Sequence, residues 1–476
     1  MASVQQVTIA PLPPERYEEV LSPALLTEFQ QDRQRARAVF EGRTIWNVNS
    51  TASGGGVAEM LRSLIAYAQG AGVDARWAVI GGTPDFFAVT KRIHNHLHGF
   101  KGDGGPLGAD QRRQYEEALA GSSEELSHLV GPRDIVLLHD PQTAGLIPRL
   151  KALGVPVVWR CHVGIDEPGD LARNAWNFLI DDVRQADAYI FSRRSFVWAG
   201  LEDAKTALIM PSIDAFSPKN RELDAGAVEA ILAGSGLVEG ATPSAERAIY
   251  LRQDGTEAAI EHRATLYQDA PLRLHQRTIL QVSRWDSLKD PLGVITGFAE
   301  HVAPHTDAHL VYAGPAVEAV SDDPEGKAVL EQAITTWRAL PRQQRERIHL
   351  ATLPMDDGEE NAAMVNALQR HSYAVVQKST AEGFGLTVAE AMWKARPVVA
   401  SRIGGIQDQI EDGRTGILLQ DPADLLAYGR AVVDLLEDSE RARTIGEAAQ
   451  ERVRDEFLGA RSLVQYMQLL GGLISG

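Results

Sequence analysis

Twice along the chain, short runs of β-branched and aliphatic residues alternate with longer segments whose apolar positions recur every three or four residues. The first series comprises residues 44–48, 76–80, 135–138, 155–159, 188–191 and 207–210; the second comprises 278–282, 310–312, 348–351, 373–377, 397–401 and 416–419. Continuous apolar runs of this length are strands buried on both faces, and the periodic segments between them, such as 56–69 and 171–185, are crossover helices. Each series therefore predicts a parallel sheet wound by helices. With 476 residues, enough for two cores, the expected fold is α/β with two doubly wound Rossmann-like domains facing a cleft. The stretch 223–277 is rich in Ala, Gly and charge and lacks a clear strand, so part of it reads as a helical insertion. The domain junction falls just before it, at 211–220, giving domains 1–215 and 216–457. From residue 422 onward the pattern is helical, longer than the second sheet needs, and the last helix, 458–476, is expected to leave its domain and pack back on the first.

Charge narrows the partners. Lysine and arginine number 47 against 64 aspartates and glutamates, a formal charge of -17, which repels nucleic acid and anionic membrane at long range. An anionic substrate must instead be met by a local cluster of cations. Cys161 is the only cysteine, so an intrachain disulfide and a cysteine-rich zinc site are excluded. The start lacks a basic segment followed by an apolar one, and no run of about 18 apolar residues occurs anywhere. The reading is a cytoplasmic protein acting on small molecules.

Ligands of such sheets bind beyond the carboxyl ends of the strands, and the residues there carry the chemistry. After the first run come Asn49 to Val57, with glycines at 54, 55 and 56. Without Cβ atoms, this loop lets backbone N–H groups approach a phosphate or sugar at the positive end of the next helix; the bland alternative is a tight turn. The spacing is not G-x-G-x-x-G, so nicotinamide binding is disfavoured. After residues 278–282 come Arg284 and Lys289, which could converge on one diphosphate, or could be two unrelated solvated cations. In 378–392 a strand delivers Glu382 into a glycine-flanked loop with Phe384, Gly385 and Leu386. There Gly385 opens a helix whose amides can face a phosphate, and Glu390 lies farther along it. A carboxylate at Glu382 suits sugar hydroxyls and one at Glu390 a ribose. Glu390 could instead face solvent, but Ala389, Ala391 and Met392 predict partial burial and a need for partners.

His162 follows the strand ending at Trp159 and Arg160, and is placed at the cleft rather than in a core, with a structural role as the alternative. His94, His96 and His98 alternate, but no carboxylate or cysteine completes a metal set, so a polar helix or loop is favoured. Asp-x-Asp is absent from the sequence, so no metal is indicated for a diphosphate. The pairs Asp322, Asp323 and Asp356, Asp357 read as loop or capping residues.

The Arg284/Lys289 pair and the E-x7-E arrangement of Glu382 and Glu390 around G-F-G-L, within a two-domain pattern, resemble the retaining GT-B glycosyltransferases of family four from about Thr44 to the C-terminus. The stretches NSTASGGGVAEML, WRCH, PSID, DDPEG and EGFGLTVAEAMWKARPV are most similar to the trehalose synthase group, and trehalose phosphorylases share several of them. This resemblance implies a GT-B fold and a donor of nucleoside-diphosphate glucose, UDP- or ADP-glucose, with no tightly bound cofactor. It implies that Gly55 and Gly56 border donor and acceptor, that His162 faces the reacting sugar, and that Arg284 and Lys289 bind the leaving phosphates. Glu382 would hold the donor sugar, Glu390 the ribose, and Phe384, Gly385 and Leu386 would supply amides near the phosphates. Glucose as acceptor would give trehalose; phosphorolysis of trehalose is the alternative, and a non-catalytic binding module a more distant one. A homodimer is a possible assembly. The sequence departs from the family pattern at 234–276, which is longer than expected, and after Gly404, Gly405 and Ile406, where Gln407, Asp408 and Gln409 stand in place of the common Pro-Glu.

Overall fold

The computed structural model describes residues 4–52, 55–239, 248–317 and 325–475. It divides the chain into two compact units, Met1–Ser212 with Phe457–Gly476, and Ile213–Glu456. In chain order the strands are β1 (Val4–Val7), β2 (Thr44–Asn49), β3 (Asp74–Ile80), β4 (Ile135–His139), β5 (Val157–Cys161), β6 (Ala188–Phe191), β7 (Thr206–Leu208), β8 (Ile249–Leu251), β9 (Glu257–Ala259), β10 (Thr265–Tyr267), β11 (Thr278–Val282), β12 (His309–Pro315), β13 (Ile348–Leu353), β14 (Ala374–Gln377), β15 (Val398–Ser401) and β16 (Ile417–Leu419).

The first unit carries a seven-stranded sheet in the order β1-β3-β2-β4-β5-β6-β7, parallel except for β1. β2, β4, β5 and β6 are buried along their whole length, as helices on both faces require. Asn47 and Asn49 lie inside this wall because they have partners: Trp77 Nε1 donates to Asn49 Oδ1 at 2.8 Å. The helix Gly459–Ser475 crosses back to this unit, where Gln468 donates to Asp32 and Ser462 to the Met210 carbonyl.

The second sheet runs β10-β13-β12-β11-β14-β15-β16, parallel except for β10. Its order reverses between β11 and β14, the two strands that frame the topological switch point. Trp285 stacks on Tyr312 at 5.0 Å in the core beneath.

Two expectations are corrected. Among its described residues the stretch 223–277 holds one helix, Ala225–Gly234, and then turns to β-structure: β8 and β9 pair as a hairpin and β10 adds an antiparallel edge to the sheet. Three-residue strands carry too little periodicity to show in sequence. Ahead of the first predicted strand the chain also forms β1 and the helix Pro23–Val39. Two strands are displaced, Val157–Cys161 in place of 155–159 and Thr206–Leu208 in place of 207–210; Pro156, which cannot donate to a ladder, holds off the start of the first. His94 and His96 lie on the helix Pro84–Leu97 with His98 just after it. Asp357 caps the helix Gly358–His371, whereas Asp322 and Asp323 lie outside the described residues.

Candidate active site

In the second unit, β11 and β14 deliver two loops to one place. Thr380 N–H donates to the Leu288 carbonyl at 2.8 Å, and the buried Gln281 side chain spans both loops, donating to the Lys289 carbonyl at 2.8 Å and accepting from Lys378 N–H at 3.2 Å. Held this way, the Lys289 ammonium meets the Glu382 carboxylate at 2.5 Å, with only 15% and 13% of the two side chains exposed. Arg284 is brought to the same loop but pairs with Asp286 at 3.1 Å and keeps half its side chain in solvent.

The loop after Glu382 is shaped by glycines that backbone proximity demands. Gly385, at φ +83°, stands at the N-terminus of the helix Leu386–Trp393, and a Cβ on Gly404 would lie 1.8 Å from the Glu382 carbonyl. Phe384 is buried, its carbonyl accepting from the Gln409 amide at 2.6 Å. Gln409, which stands where the family pattern differs, thus buttresses the Glu382 loop from below. Glu390 is 1% exposed and faces Lys219 at 3.6 Å; its burial is deeper than the partial burial read from its neighbours. Beside it the Lys394 amine donates to the Glu390 carbonyl and to Asn220 Oδ1, and burial pulls its pKa down to about 7.

The first unit builds its strand ends differently. Gly55, at φ +78°, and Gly56 are exposed at the start of the helix Gly55–Gly70, a conformation at Gly55 that favours glycine. His162, expected outside a core, is only 9% exposed: its ring stacks on His139, the last residue of β4, with centroids 5.4 Å apart and the ring nitrogens His139 Nδ1 and His162 Nε2 at 3.1 Å. His139 Nε2 lies 3.4 Å from Asn47 Oδ1. Because that oxygen can only accept, the neutral tautomers follow in order: His139 donates through Nε2 to Asn47, accepts at Nδ1 from His162 Nε2–H, and leaves Nδ1 as the acceptor nitrogen of His162. Burial holds both rings neutral, His139 down to about 3 and His162 well below its ordinary value.

Asp140, which the sequence reading passed over like His139, and Arg160 complete this cluster. Asp140 has φ +65°, accepts from His162 N–H at 2.8 Å, and although it keeps some solvent contact, the protein packed around it pushes its pKa up to about 7. Arg160, fully buried, donates to the Ile209 carbonyl and lies over the Tyr466 ring at 5.3 Å; burial lowers it to about 9. The strand-end rule that selected His162 would also have selected His139 and Asp140, directly after the apolar run 135–138. Among the described residues no group of three or more His, Cys, Asp or Glu is arranged to hold a metal ion, and no described helix is long and apolar enough to cross a membrane.

Residues 47–198 match the family model "Trehalose synthase, N-terminal domain" and residues 263–452 match "Glycosyl transferases group 1". Along its length the chain is 33% identical over 456 residues to a trehalose synthase of Thermococcus litoralis, covering 96% of both proteins. The chain belongs to the trehalose synthase family of glycosyltransferases. A trehalose phosphorylase of Grifola frondosa is 26% identical over 441 residues, 88% of this chain but 56% of that one. Among solved structures, a UDP-forming α,α-trehalose-phosphate synthase of Burkholderia xenovorans shares the fold with a TM-score of 0.65 at 16% identity, over 91% of this chain and all of that one. Family membership makes this protein a glycosyltransferase of trehalose metabolism with a GT-B fold, as the resemblance read from the sequence implied.

Proposed function

We propose that the protein transfers glucose from a nucleoside-diphosphate glucose to free glucose, with retention, to give trehalose. The observation that carries this reading is the Lys289–Glu382 pair at the switch point of the second sheet, beside the helix opened by Gly385. A sugar phosphate presents an anion next to hydroxyls, and these two side chains are the complement of that order. On donor binding, the phosphate takes the ammonium and the hexose hydroxyls take the carboxylate, so each charge exchanges one partner for another without being stranded.

As the glycosidic bond to the diphosphate lengthens, negative charge grows on the leaving oxygen. Lys289, Arg284 and the amides of Phe384, Gly385 and Leu386 stabilise it, an electrostatic contribution already in place before reaction. Glu390 accepts from the ribose hydroxyls in exchange for part of its contact to Lys219. In the first unit, Gly55 and Gly56 leave room for the sugars, and the acceptor nitrogen Nδ1 of His162 takes a hydrogen bond from a sugar hydroxyl. The incoming hydroxyl attacks on the face the diphosphate leaves, and its proton passes to the departing phosphate.

The full-length match to a trehalose synthase, against coverage of about half of a trehalose phosphorylase, favours the nucleotide-dependent reaction. Purified protein given UDP- or ADP-glucose and glucose should form α,α-trehalose and the nucleoside diphosphate. Formation of glucose 1-phosphate from trehalose and inorganic phosphate, without nucleotide, would replace this reading with phosphorolysis.

A further inference from the structure

Between β11 and the helix Pro291–His301, Asp290 adopts φ 50°, ψ 53°, the left-handed region. A non-glycine residue reaches this region only at a cost, and the residue before a proline is ordinarily held to extended backbone. Two anchors on its carboxylate offset that cost. Oδ1 accepts from Gly293 N–H at 3.0 Å and caps the helix, while Oδ2 is paired with the ammonium of Lys378. The Lys378 side chain is wholly buried, an expensive place for a cation unless its partner is fixed. Space is reserved for the pair, since a Cβ on Gly293 would lie 2.1 Å from Asp290 Oδ2.

The pair, buried on its lysine side, joins the same two loops as the Lys289–Glu382 pair. Asp290 follows Lys289 directly in the chain and Lys378 begins the segment that ends at Glu382. Gln281 closes the frame, accepting from Lys378 N–H and donating to the Lys289 carbonyl. The backbone is therefore fixed before Lys289 by Thr380 on the Leu288 carbonyl, and after it by Gln281 on the Lys289 carbonyl and by Lys378 through the turn at Asp290.

We infer that Lys378 is a positioning residue for the transfer reaction: by holding the Asp290 carboxylate it sets the turn that aims Lys289 at the phosphate of the donor. Lys378 touches no substrate in this role, and the inference rests on the reading of Lys289 as the phosphate-binding cation. Lys378 offers Asp290 a charge that an apolar side chain of similar length cannot supply, and without it the turn relaxes and Lys289 samples other directions.

A double-mutant cycle tests this. Trehalose formation is measured with UDP- or ADP-glucose, whichever the wild type uses faster, for Lys378→Met, Lys289→Ala and the pair, with melting temperatures for each. Lys378→Met should lower kcat/KM for the donor by about tenfold while KM for glucose stays unchanged. In the Lys289→Ala background it should cost less than about twofold, because the residue it positions is gone. Equal loss in both backgrounds, or full activity in a folded Lys378→Met protein, overturns the proposal. Should Lys378→Met fail to fold, Asp290→Asn, which keeps the capping oxygen and removes the charge, goes through the same cycle with the same criteria. Wild-type activity in Lys289→Ala itself would instead overturn the phosphate reading on which the inference stands, a separate outcome visible in the same data set.

Discussion

The two sheets finish their strands in opposite electrostatic styles. At the carboxyl ends of the second sheet the charges are kept and paired: Lys289 with Glu382, Lys378 with Asp290, Lys219 with Glu390. Around His162 in the first, charge is reduced: His139 and His162 are held neutral and Asp140 is pushed toward its protonated form, while Arg160 and the Arg193–Asp166 pair at 2.8 Å are charges that remain. Paired charges can be handed to an ionic ligand at little net desolvation cost, whereas neutral donors and acceptors suit a ligand without charge. The contrast fits a nucleotide sugar on the second unit and a free sugar on the first. A second stacked histidine pair sharpens the lesson. His309 and His349 in the second unit lie 3.0 Å apart by their ring nitrogens, but at the amino ends of β12 and β13, where His349 meets Gln268 just after β10. The same motif at the other end of a sheet ties the edge strand β10 to its neighbour.

The largest effect that could break this division is at Lys289. Replacing it by alanine should lower donor kcat/KM by about 10²- to 10³-fold, roughly 3–4 kcal/mol, in a protein that still folds but melts lower because Glu382 loses its partner; a steady-state assay that shows wild-type turnover would remove the cation from the reaction. Next comes His162→Ala, expected to cost about 10²-fold in kcat with nucleotide affinity intact, so equal loss of nucleotide binding would blur the two halves.

Much of the molecule could be read before any coordinates. The strands with continuous apolar runs were legible because burial on both faces writes a clear pattern, the return of the last helix because the helical pattern after residue 422 is longer than the second sheet needs, and the family because Arg284, Lys289, Glu382 and Glu390 stand in its motifs. The pairing of Lys289 with Glu382 was only partly legible: both residues stood at strand ends, but their strands are far apart in sequence and become neighbours only through the β11–β14 pairing. Lys378 and Asp290 were illegible as partners for the same reason, and nothing in a sequence marks a left-handed aspartate. The hairpin of β8 and β9 was missed because three-residue strands are decided by tertiary pairing and not by local pattern.

A smaller effect is expected at Glu390. Glu390→Gln should weaken nucleoside-diphosphate affinity about tenfold, the scale of one charge-assisted hydrogen bond, and leave glucose affinity alone; calorimetric titration of both ligands checks this. The smallest is a pH signature. The histidines His139 and His162, lowered in the folded protein, favour folding above their unfolded pKa of about 6.5 and lose that stability as pH falls below it, for His139 down to about 3. Asp140, raised to about 7, works in the opposite sense, adding stability as pH falls from 7 toward 4. Asp140→Asn should therefore steepen the fall in melting temperature between pH 7 and pH 4 relative to the wild type. A shallower fall would show that the carboxyl is ionised in the folded protein.

The most direct test sets the halves side by side by titrating a nucleoside diphosphate and glucose separately into Lys289→Ala and His162→Ala. The division of charge predicts that Lys289→Ala loses at least about tenfold in nucleotide affinity and none for glucose, while His162→Ala keeps its nucleotide affinity and loses glucose binding. Nucleotide binding unchanged in Lys289→Ala but lost in His162→Ala would contradict it.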